Sequence, residues 1–247
     1  MPDATRHAIV SMLELWLRDV IPDLGEVLAE SAQGLVQKYK DNLVVKLRDE
    51  PQQVQRELKM MAAAGDLSVT VVGYVYTGPP KNLEGFVMPL LCPIDALSMT
   101  IQEKLDIYRQ MRSAIETLHL RGIIHGDVNL SNMLLDERKC LKLCDFGISS
   151  FASEIYFPSA FTVRYCSQYR LREGTPPKLV EEEDIYALGI TLWEFMTGRK
   201  AFEDIDDEEE LEEAIRKGRK VDVTLVENYE VRTYISLCLN VFQEFEG

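Results

Sequence analysis

A hairpin-like segment in the middle of the chain limits the possible folds more than any other feature. Short apolar runs lie on both sides of the polar turn 136–139, which predicts two antiparallel strands. Asp127 and Asn132 come before these strands, and Asp145 comes after them. Because the two ends of a hairpin lie close together, we expect the three side chains to open onto one cleft. Their oxygen atoms suit Mg²⁺, although Asp and Asn are also common turn formers.

Hydrophobic spacing divides the chain into three zones. Within the N-terminal segment 1–23, the helical spacing of Ile9, Leu13 and Val20 predicts a lead-in helix that ends before Pro22. From about Leu24 to Leu91, short β-branched runs predict a small sheet, which one helix over Pro51–Ala64 interrupts. The predicted strands are 34–36, 43–47, 69–76 and 85–90. Beyond this zone helical periodicity dominates, with a buried helix over 185–196, so we expect an α+β fold.

Composition limits the partners and the compartment. The net charge of −14 disfavours nucleic-acid binding, which needs positive charge. Nine acidic residues fall within 203–213; this run predicts a solvated helix, with a docking surface for basic proteins as the alternative. We find neither a run long and apolar enough for a membrane helix nor a secretion-signal pattern. The five cysteines form no zinc-like or redox pair, so we read them as reduced thiols. Together these features lead us to expect a cytoplasmic or nuclear protein without membrane contact.

Several motifs, in a fixed order, resemble those of the eukaryotic protein kinase family. HGDVNLSN from His125 resembles the family's H-R-D-L-x-x-x-N loop, and DFG follows at Asp145. VVK ending at Lys46 resembles the family's strand lysine, and Glu57 lies on the next predicted helix, where the family has an ion-pair glutamate. The resemblance covers about 24–239 and includes the later segment DIYALG.

This resemblance implies a two-lobed fold with ATP bound between the lobes. A small β-rich N-lobe would occupy 24–88, a hinge would follow Met88, and a larger, mainly helical C-lobe, shortened at its C-terminus, would occupy 89–247. The implied activity is transfer of the γ-phosphate of ATP to Ser or Thr hydroxyls of proteins. Serine/threonine specificity is favoured because the catalytic loop lacks the A-A-R variant of tyrosine kinases.

The resemblance also assigns roles to individual residues. Asp127 and Lys46 would be catalytic: Asp127 accepts or orients the substrate hydroxyl, and Lys46 holds the α- and β-phosphates while pairing with Glu57. Asn132 and Asp145 would hold Mg²⁺. The implied ATP-binding residues are Leu28, Gly34, Val36, Val44, Lys46, Glu57, Met88, Asn132, Leu134 and Asp145.

Four departures from the family pattern indicate an atypical member. Of the glycines in the loop that covers ATP, only Gly34 remains. Gly126 replaces the arginine before the catalytic aspartate, the non-RD pattern, which argues against activation by a loop phosphate. Asn129 replaces the lysine of serine/threonine kinases, and Tyr169 replaces a structural glutamate. Two alternatives therefore remain: a pseudokinase that acts as a binding or scaffold module, and a small-molecule phosphotransferase of the aminoglycoside-kinase type.

Overall fold

The computed structural model of the chain describes residues 24–31, 34–40, 42–48, 50–77, 82–158, 161–172 and 178–242. The predicted lead-in helix at 1–23 lies outside these residues. The chain divides into two units, Met1–Leu91 and Cys92–Gly247. A lobe boundary directly after Met88 stays a prediction.

The first unit contains a five-stranded antiparallel sheet. Its strands are β1 Leu24–Ser31, β2 Gly34–Tyr39, β3 Leu43–Leu47, β4 Gly73–Thr77 and β5 Asn82–Pro89, in the spatial order β1-β2-β3-β5-β4. The predicted strand at 69–76 was wrong at its start, because pairing with β5 begins only at Gly73. We did not predict β1 individually: its residues 25–30 are exposed, so they show no apolar alternation.

One helix of the first unit, α1 Pro51–Ala64, confirms the sequence prediction. Pro51 suits the first helical position, where an N–H would have no partner within the helix. Gly65 ends the helix with a φ of 59°, a conformation that glycine adopts readily. The buried face of α1 consists of Val54, Glu57, Met60, Met61 and Ala64. A glutamate in this otherwise apolar set requires a buried ionic partner.

The second unit is mainly helical. Its helices are α2 Ile101–Leu120, α3 Gln168–Leu171, α4 Glu181–Thr197, α5 Glu208–Arg216 and α6 Tyr229–Leu239. Helix α4 is buried nearly all round and ends at Gly198, which confirms the predicted buried helix. It begins earlier than predicted, at Glu181, with an acidic first turn that complements the positive end of the helix dipole. None of the helices that the structure describes is long and apolar enough to span a membrane.

Short strands lie before and after α2 and position the polar residues of interest. They are β6 Cys92–Pro93, β7 Ile123–Ile124, β8 Met133–Leu135, β9 Leu141–Leu143 and β10 Ser150–Phe151. Strands β8 and β9 form the predicted hairpin, with Leu134 opposite Lys142. Asp136 closes the turn because its carboxylate accepts hydrogen bonds from the backbone N–H groups of Arg138 (2.9 Å) and Cys140 (2.8 Å).

Candidate active site

The loop before β8 is organised by the side chain of Asn129. Its Oδ1 accepts hydrogen bonds from the backbone N–H groups of Ser131 (2.9 Å) and Asn132 (3.2 Å), so it caps the short 3₁₀ turn Leu130–Asn132. Its Nδ2 donates to the backbone oxygen of Asp127 at 3.2 Å. Asn129 is buried, and these three hydrogen bonds fix the loop from inside. The resemblance identified only the missing lysine at this position and not this structural role.

Two side chains hold the carboxylate of Asp127 in place. Asn132 Nδ2 donates to Asp127 Oδ2 at 2.8 Å and to its backbone oxygen at 2.9 Å. Thr162 Oγ1 donates to Asp127 Oδ1 at 2.9 Å. Each carboxylate oxygen thus has a hydrogen-bond donor. Sequence reasoning placed Asp127 and Asn132 in one site but missed Thr162, which lies in a loop 35 residues later in the chain.

The electrostatic environment of Asp127 favours its protonated form more than water does. Its pKa is raised mainly by burial, and the nearby charge of Asp145 raises it further. His125 and the Thr162 hydrogen bond oppose this shift in the pKa. Asn132 connects the two predicted carboxylates, because its side chain contacts Asp127 and its backbone oxygen accepts a hydrogen bond from Cys144, the residue before Asp145.

The residues at the ends of the hairpin fit a magnesium ion. Asn132 donates through Nδ2, so its Oδ1 is the side-chain atom suited to a cation. The backbone N–H of Cys144 donates to the backbone oxygen of Asn132 at 3.0 Å, which places Asp145, the next residue, beside Asn132. Asp145 has a φ of 58°, a strained conformation of the kind that occurs at functional sites.

A pair of oxygen-bearing side chains also suits magnesium. Mg²⁺ is commonly held by one or two protein oxygens together with phosphate oxygens and water. The pair Asn132 and Asp145 meets that requirement.

Asp184, on α4, holds the backbone of the loop that leads to Asp127. Its carboxylate accepts hydrogen bonds from the backbone N–H groups of His125 and Gly126, both at 2.7 Å. His119 Nε2 lies 2.9 Å from the same carboxylate. Burial lowers the pKa of His119, but the hydrogen bond to Asp184 and its charge outweigh this, so the net shift is upward. Sequence reasoning placed Asp184 on a buried helix but assigned it no role in the site.

Gly126, which precedes Asp127, contributes no side chain to the loop, where the resemblance led us to note a missing arginine. Its φ of 83° lies in the region that glycine adopts most readily. A Cβ at this position would lie 3.1 Å from Leu179 Cδ2 and 3.3 Å from the backbone oxygen of Ile148. Glycine therefore suits both the backbone conformation and the packing.

In the first unit the predicted ion pair is present. Lys46 Nζ lies 2.7 Å from Glu57 Oε1, and both side chains are buried. A second cation, which we did not predict, contacts the same glutamate: Arg48 Nε lies 2.9 Å from Glu57 Oε2. The spacing Lys-Leu-Arg could have revealed it, because side chains two residues apart on a strand share a face.

Strand register brings several predicted ATP-binding residues to one face of the sheet. Val36 lies opposite Lys46, and Val44 lies opposite Met88. Since Val44 and Lys46 are two residues apart on β3, all four side chains share this face. Leu28 lies at an irregularity in the β1–β2 pairing and is 41% exposed. The remaining predicted residues are Gly34, at the start of β2, and Leu134, on β8.

The contacts of Tyr169 show what stands in place of the family's structural glutamate. Its ring stacks on Phe242 with centroids 4.9 Å apart, and the Arg172 guanidinium lies 4.0 Å from the ring centroid.

Glu183, at the start of α4, is a buried carboxyl group that accepts a 2.6 Å hydrogen bond from Ser167 Oγ. Burial raises the pKa of Glu183 to about 7, although the Ser167 hydrogen bond opposes the shift.

We expect Glu183 to make stability fall as the pH rises from 5 to 8. Its pKa is about 7 in the folded chain and ordinarily 4.5, so the folded state binds its proton more tightly. The contribution of protonated Glu183 to the free energy of unfolding is complete below pH 4.5 and is lost above pH 7. The difference corresponds to roughly 3 kcal/mol at most. Glu183→Gln should therefore melt at a higher temperature than wild type at pH 8 and near the wild-type temperature at pH 5.

Thermal melts at both pH values test this expectation. The exposed residue Glu203 offers a matched control, since Glu203→Gln removes the same charge and should follow wild type at both pH values. A Glu183→Gln variant whose stability follows wild type across this range would contradict the assignment.

Comparison with known proteins gives the family. A family model described as "Protein kinase domain" matches residues 35–242, which is most of the chain. The chain belongs to the protein kinase domain family. This membership, with a β-sheet first unit and a helical second unit, confirms the predicted α+β kinase-like fold.

Individual relatives match shorter stretches. A serine/threonine-protein kinase of Schizosaccharomyces pombe is 31% identical over 121 residues, 44% of this chain and 18% of that protein. An Aurora kinase of Debaryomyces hansenii is 38% identical over 103 residues, 39% of this chain and 24% of that protein. A serine/threonine-protein kinase of Bacillus subtilis is 37% identical over 106 residues, 41% of this chain and 16% of that protein. The chain thus spans a quarter or less of the length of these relatives.

Proposed function

We propose that this chain is an ATP-dependent protein kinase that phosphorylates Ser and Thr hydroxyls of proteins. The observation that carries the proposal is the fixed carboxylate of Asp127, which receives hydrogen bonds from Asn132 and Thr162 beside Asp145. A carboxylate held in this way can orient a hydroxyl and accept its proton. The relatives are themselves named as serine/threonine kinases, which supports this acceptor class.

In the proposed reaction the substrate hydroxyl oxygen forms a bond to the γ-phosphorus of ATP. The bond from that phosphorus to the β-γ bridging oxygen breaks, ADP leaves, and Asp127 takes the hydroxyl proton. Bound Mg²⁺ neutralises phosphate charge, and Asn132 and Asp145 are the residues that would hold it. Lys46 would bind the α- and β-phosphates, with its ammonium positioned by Glu57.

A second candidate function is a nucleotide-binding module without phosphate transfer. It is favoured by Asn129, which turns inward to cap the loop and leaves no cation two residues after Asp127. Charge stabilisation of a transition state by one group can contribute several kcal/mol to the rate. Binding of ATP without transfer to protein would support this candidate.

Substrate attraction and location stay predictions. Residues 206–210 are all exposed and acidic, so a basic protein substrate is the acceptor that we expect. The end of this run lies on α5, where Glu212 contacts Arg216 and Glu213 contacts Lys217. We also expect a cytoplasmic or nuclear location and no binding to nucleic acid.

Phosphate transfer from radiolabelled ATP tests the proposal directly. We expect Mg²⁺-dependent labelling of Ser- and Thr-containing basic peptides, and no labelling of Tyr-only peptides or aminoglycosides. Asp145→Asn should reduce labelling by about 10²-fold or more and weaken the Mg²⁺-dependent part of ATP binding, because it removes a ligand charge. Thermal shift with ATP, with and without Mg²⁺, measures the binding.

Asp106→Asn is the matched control, since Asp106 is an exposed partner of Arg109 on α2 and lies outside the acidic run 203–213. This control should retain wild-type labelling. Labelling of aminoglycosides alone would overturn the protein-kinase proposal in favour of a small-molecule phosphotransferase. Absence of any nucleotide binding by the wild-type chain would overturn the ATP site as a whole.

A further inference from the structure

Arg48 lies directly after β3 and faces the same side of the sheet as Lys46. Its backbone N–H donates to the oxygen of Glu84 at 2.8 Å, so the residue continues the pairing with β5. Side chains alternate along a strand, and Lys46 and Arg48 therefore point together toward Glu57 on α1. The ion-pair distances confirm this arrangement.

Each carboxylate oxygen of Glu57 has its own cation. Lys46 Nζ lies 2.7 Å from Oε1, and Arg48 Nε lies 2.9 Å from Oε2. Gln53, one turn earlier on α1, accepts a hydrogen bond of 3.3 Å from Arg48 Nη1. The guanidinium is thus fixed along α1 by two side chains of that helix. Its Nη2 is buried without a hydrogen-bond partner among the described residues.

Burial makes this shared carboxylate electrostatically important. The side chains of Lys46, Arg48 and Glu57 are 3%, 4% and 1% exposed, so water screens their interactions weakly. Glu57 carries one negative charge, which two cations divide between them. If Arg48 were neutral, the whole of that charge would act on Lys46, and the positive potential at its ammonium would fall.

Gly34 makes room for this arrangement. A Cβ on Gly34 would lie 3.0 Å from Arg48 Cγ and 2.3 Å from the backbone oxygen of Leu47. Glycine therefore permits β2 to approach the stem of Arg48. The one glycine that the chain retains from the family's nucleotide-covering loop is the one that this packing requires.

We propose that Arg48 is a positioning residue for the triphosphate, which acts through Glu57 and leaves the charge of Lys46 available to phosphate oxygens. The proposal rests on the proposed function, in which Lys46 binds the α- and β-phosphates of ATP. Arg48 itself need not touch the nucleotide. It follows that Arg48 strengthens the binding of ligands that carry phosphates and does not change the binding of ligands that lack them.

Binding of ATP and of adenosine to the full chain, measured by isothermal titration calorimetry, tests this selectivity. Arg48→Gln should raise the Kd of ATP by about tenfold, the order expected for one buried charge at short range, and change the Kd of adenosine by less than about twofold. Arg48→Lys should restore most of the ATP affinity because it returns the charge. Arg109→Gln removes the same charge from an exposed pair with Asp106 on α2 and should leave the binding of both ligands unchanged.

The possible outcomes separate this inference from the proposed function. Equal weakening of ATP and adenosine by Arg48→Gln, or no weakening of either, would overturn the role of Arg48 provided that Lys46→Met selectively weakens ATP. If Lys46→Met does not raise the Kd of ATP selectively, the result refutes the proposed role of Lys46 in binding phosphates, which belongs to the proposed function. Should Arg48→Gln not fold, Gln53→Ala removes only the exposed hydrogen-bond partner of Arg48. It should raise the Kd of ATP alone by about twofold to threefold, and an unchanged Kd would overturn the inference.

Discussion

Asp127→Asn should lower the rate of phosphate transfer by roughly 10² to 10⁴-fold while ATP binding changes by less than about twofold. Asparagine retains an oxygen for the Thr162 hydrogen bond but cannot accept a proton from the substrate hydroxyl. Single-turnover transfer from radiolabelled ATP gives the rate, and calorimetric titration gives the affinity. The combination of lost transfer and retained binding distinguishes a catalytic group from a structural one.

The pH dependence of the transfer rate is a second test of Asp127 as the proton acceptor. Burial raises the pKa of Asp127 above its ordinary 3.8, with opposing contributions from His125 and the Thr162 hydrogen bond. Only the ionised carboxylate accepts a proton, so the wild-type rate should fall as the pH is lowered through this raised pKa. Asp106→Asn, an exposed substitution on α2, should retain the wild-type rate and profile. Near-normal transfer by Asp127→Asn would contradict the catalytic assignment.

Asp184→Asn should destabilise the second unit and slow phosphate transfer together. The carboxylate accepts hydrogen bonds from His125 N and Gly126 N, and an amide cannot satisfy both of these and the His119 contact. Each buried donor left without an acceptor costs about 1–3 kcal/mol, so a loss of about 2–5 kcal/mol is expected. Denaturant unfolding measures the free energy of unfolding.

The effect of Asp184 on the rate should reach Asp127 through the backbone. Asp127 directly follows Gly126, so a shift of the loop by about 1 Å could lower the transfer rate by about 10²-fold under conditions where the variant is folded. His119→Gln is the matched comparison, since His119 contacts the same carboxylate without belonging to the loop. This variant should lose less stability and retain most of its transfer. Wild-type stability in Asp184→Asn would refute the role of Asp184 in holding the loop.

The sequence predicted the parts of the site that lie close together along the chain. The hairpin of β8 and β9 follows from two apolar runs around a polar turn, and the structure confirms it. Helix α1 follows from Pro51 and the apolar spacing after it. The pairing of Lys46 with Glu57 came from the resemblance and is present at 2.7 Å. The functional roles of these residues stay proposals that the experiments above test.

Two of the substitutions that marked the chain as atypical have structural explanations that the sequence did not reveal. Asn129, identified as a missing lysine, caps the loop that follows Asp127 from inside. Tyr169, identified as a missing glutamate, stacks on Phe242. In both cases the sequence showed which residue type was absent, while the contacts of the new side chain depend on neighbours that only the folded chain brings near.

By itself the sequence determined the α+β class, the hairpin and the order of the motifs, because local hydrophobic period and turn chemistry record these features. Only the tertiary structure decided which side chains hold Asp127 and its loop. Thr162 lies 35 residues from Asp127, and Asp184 lies 58 residues from Gly126. Contacts over such separations depend on how helices and loops pack in three dimensions, and no short-range pattern in the sequence records that packing.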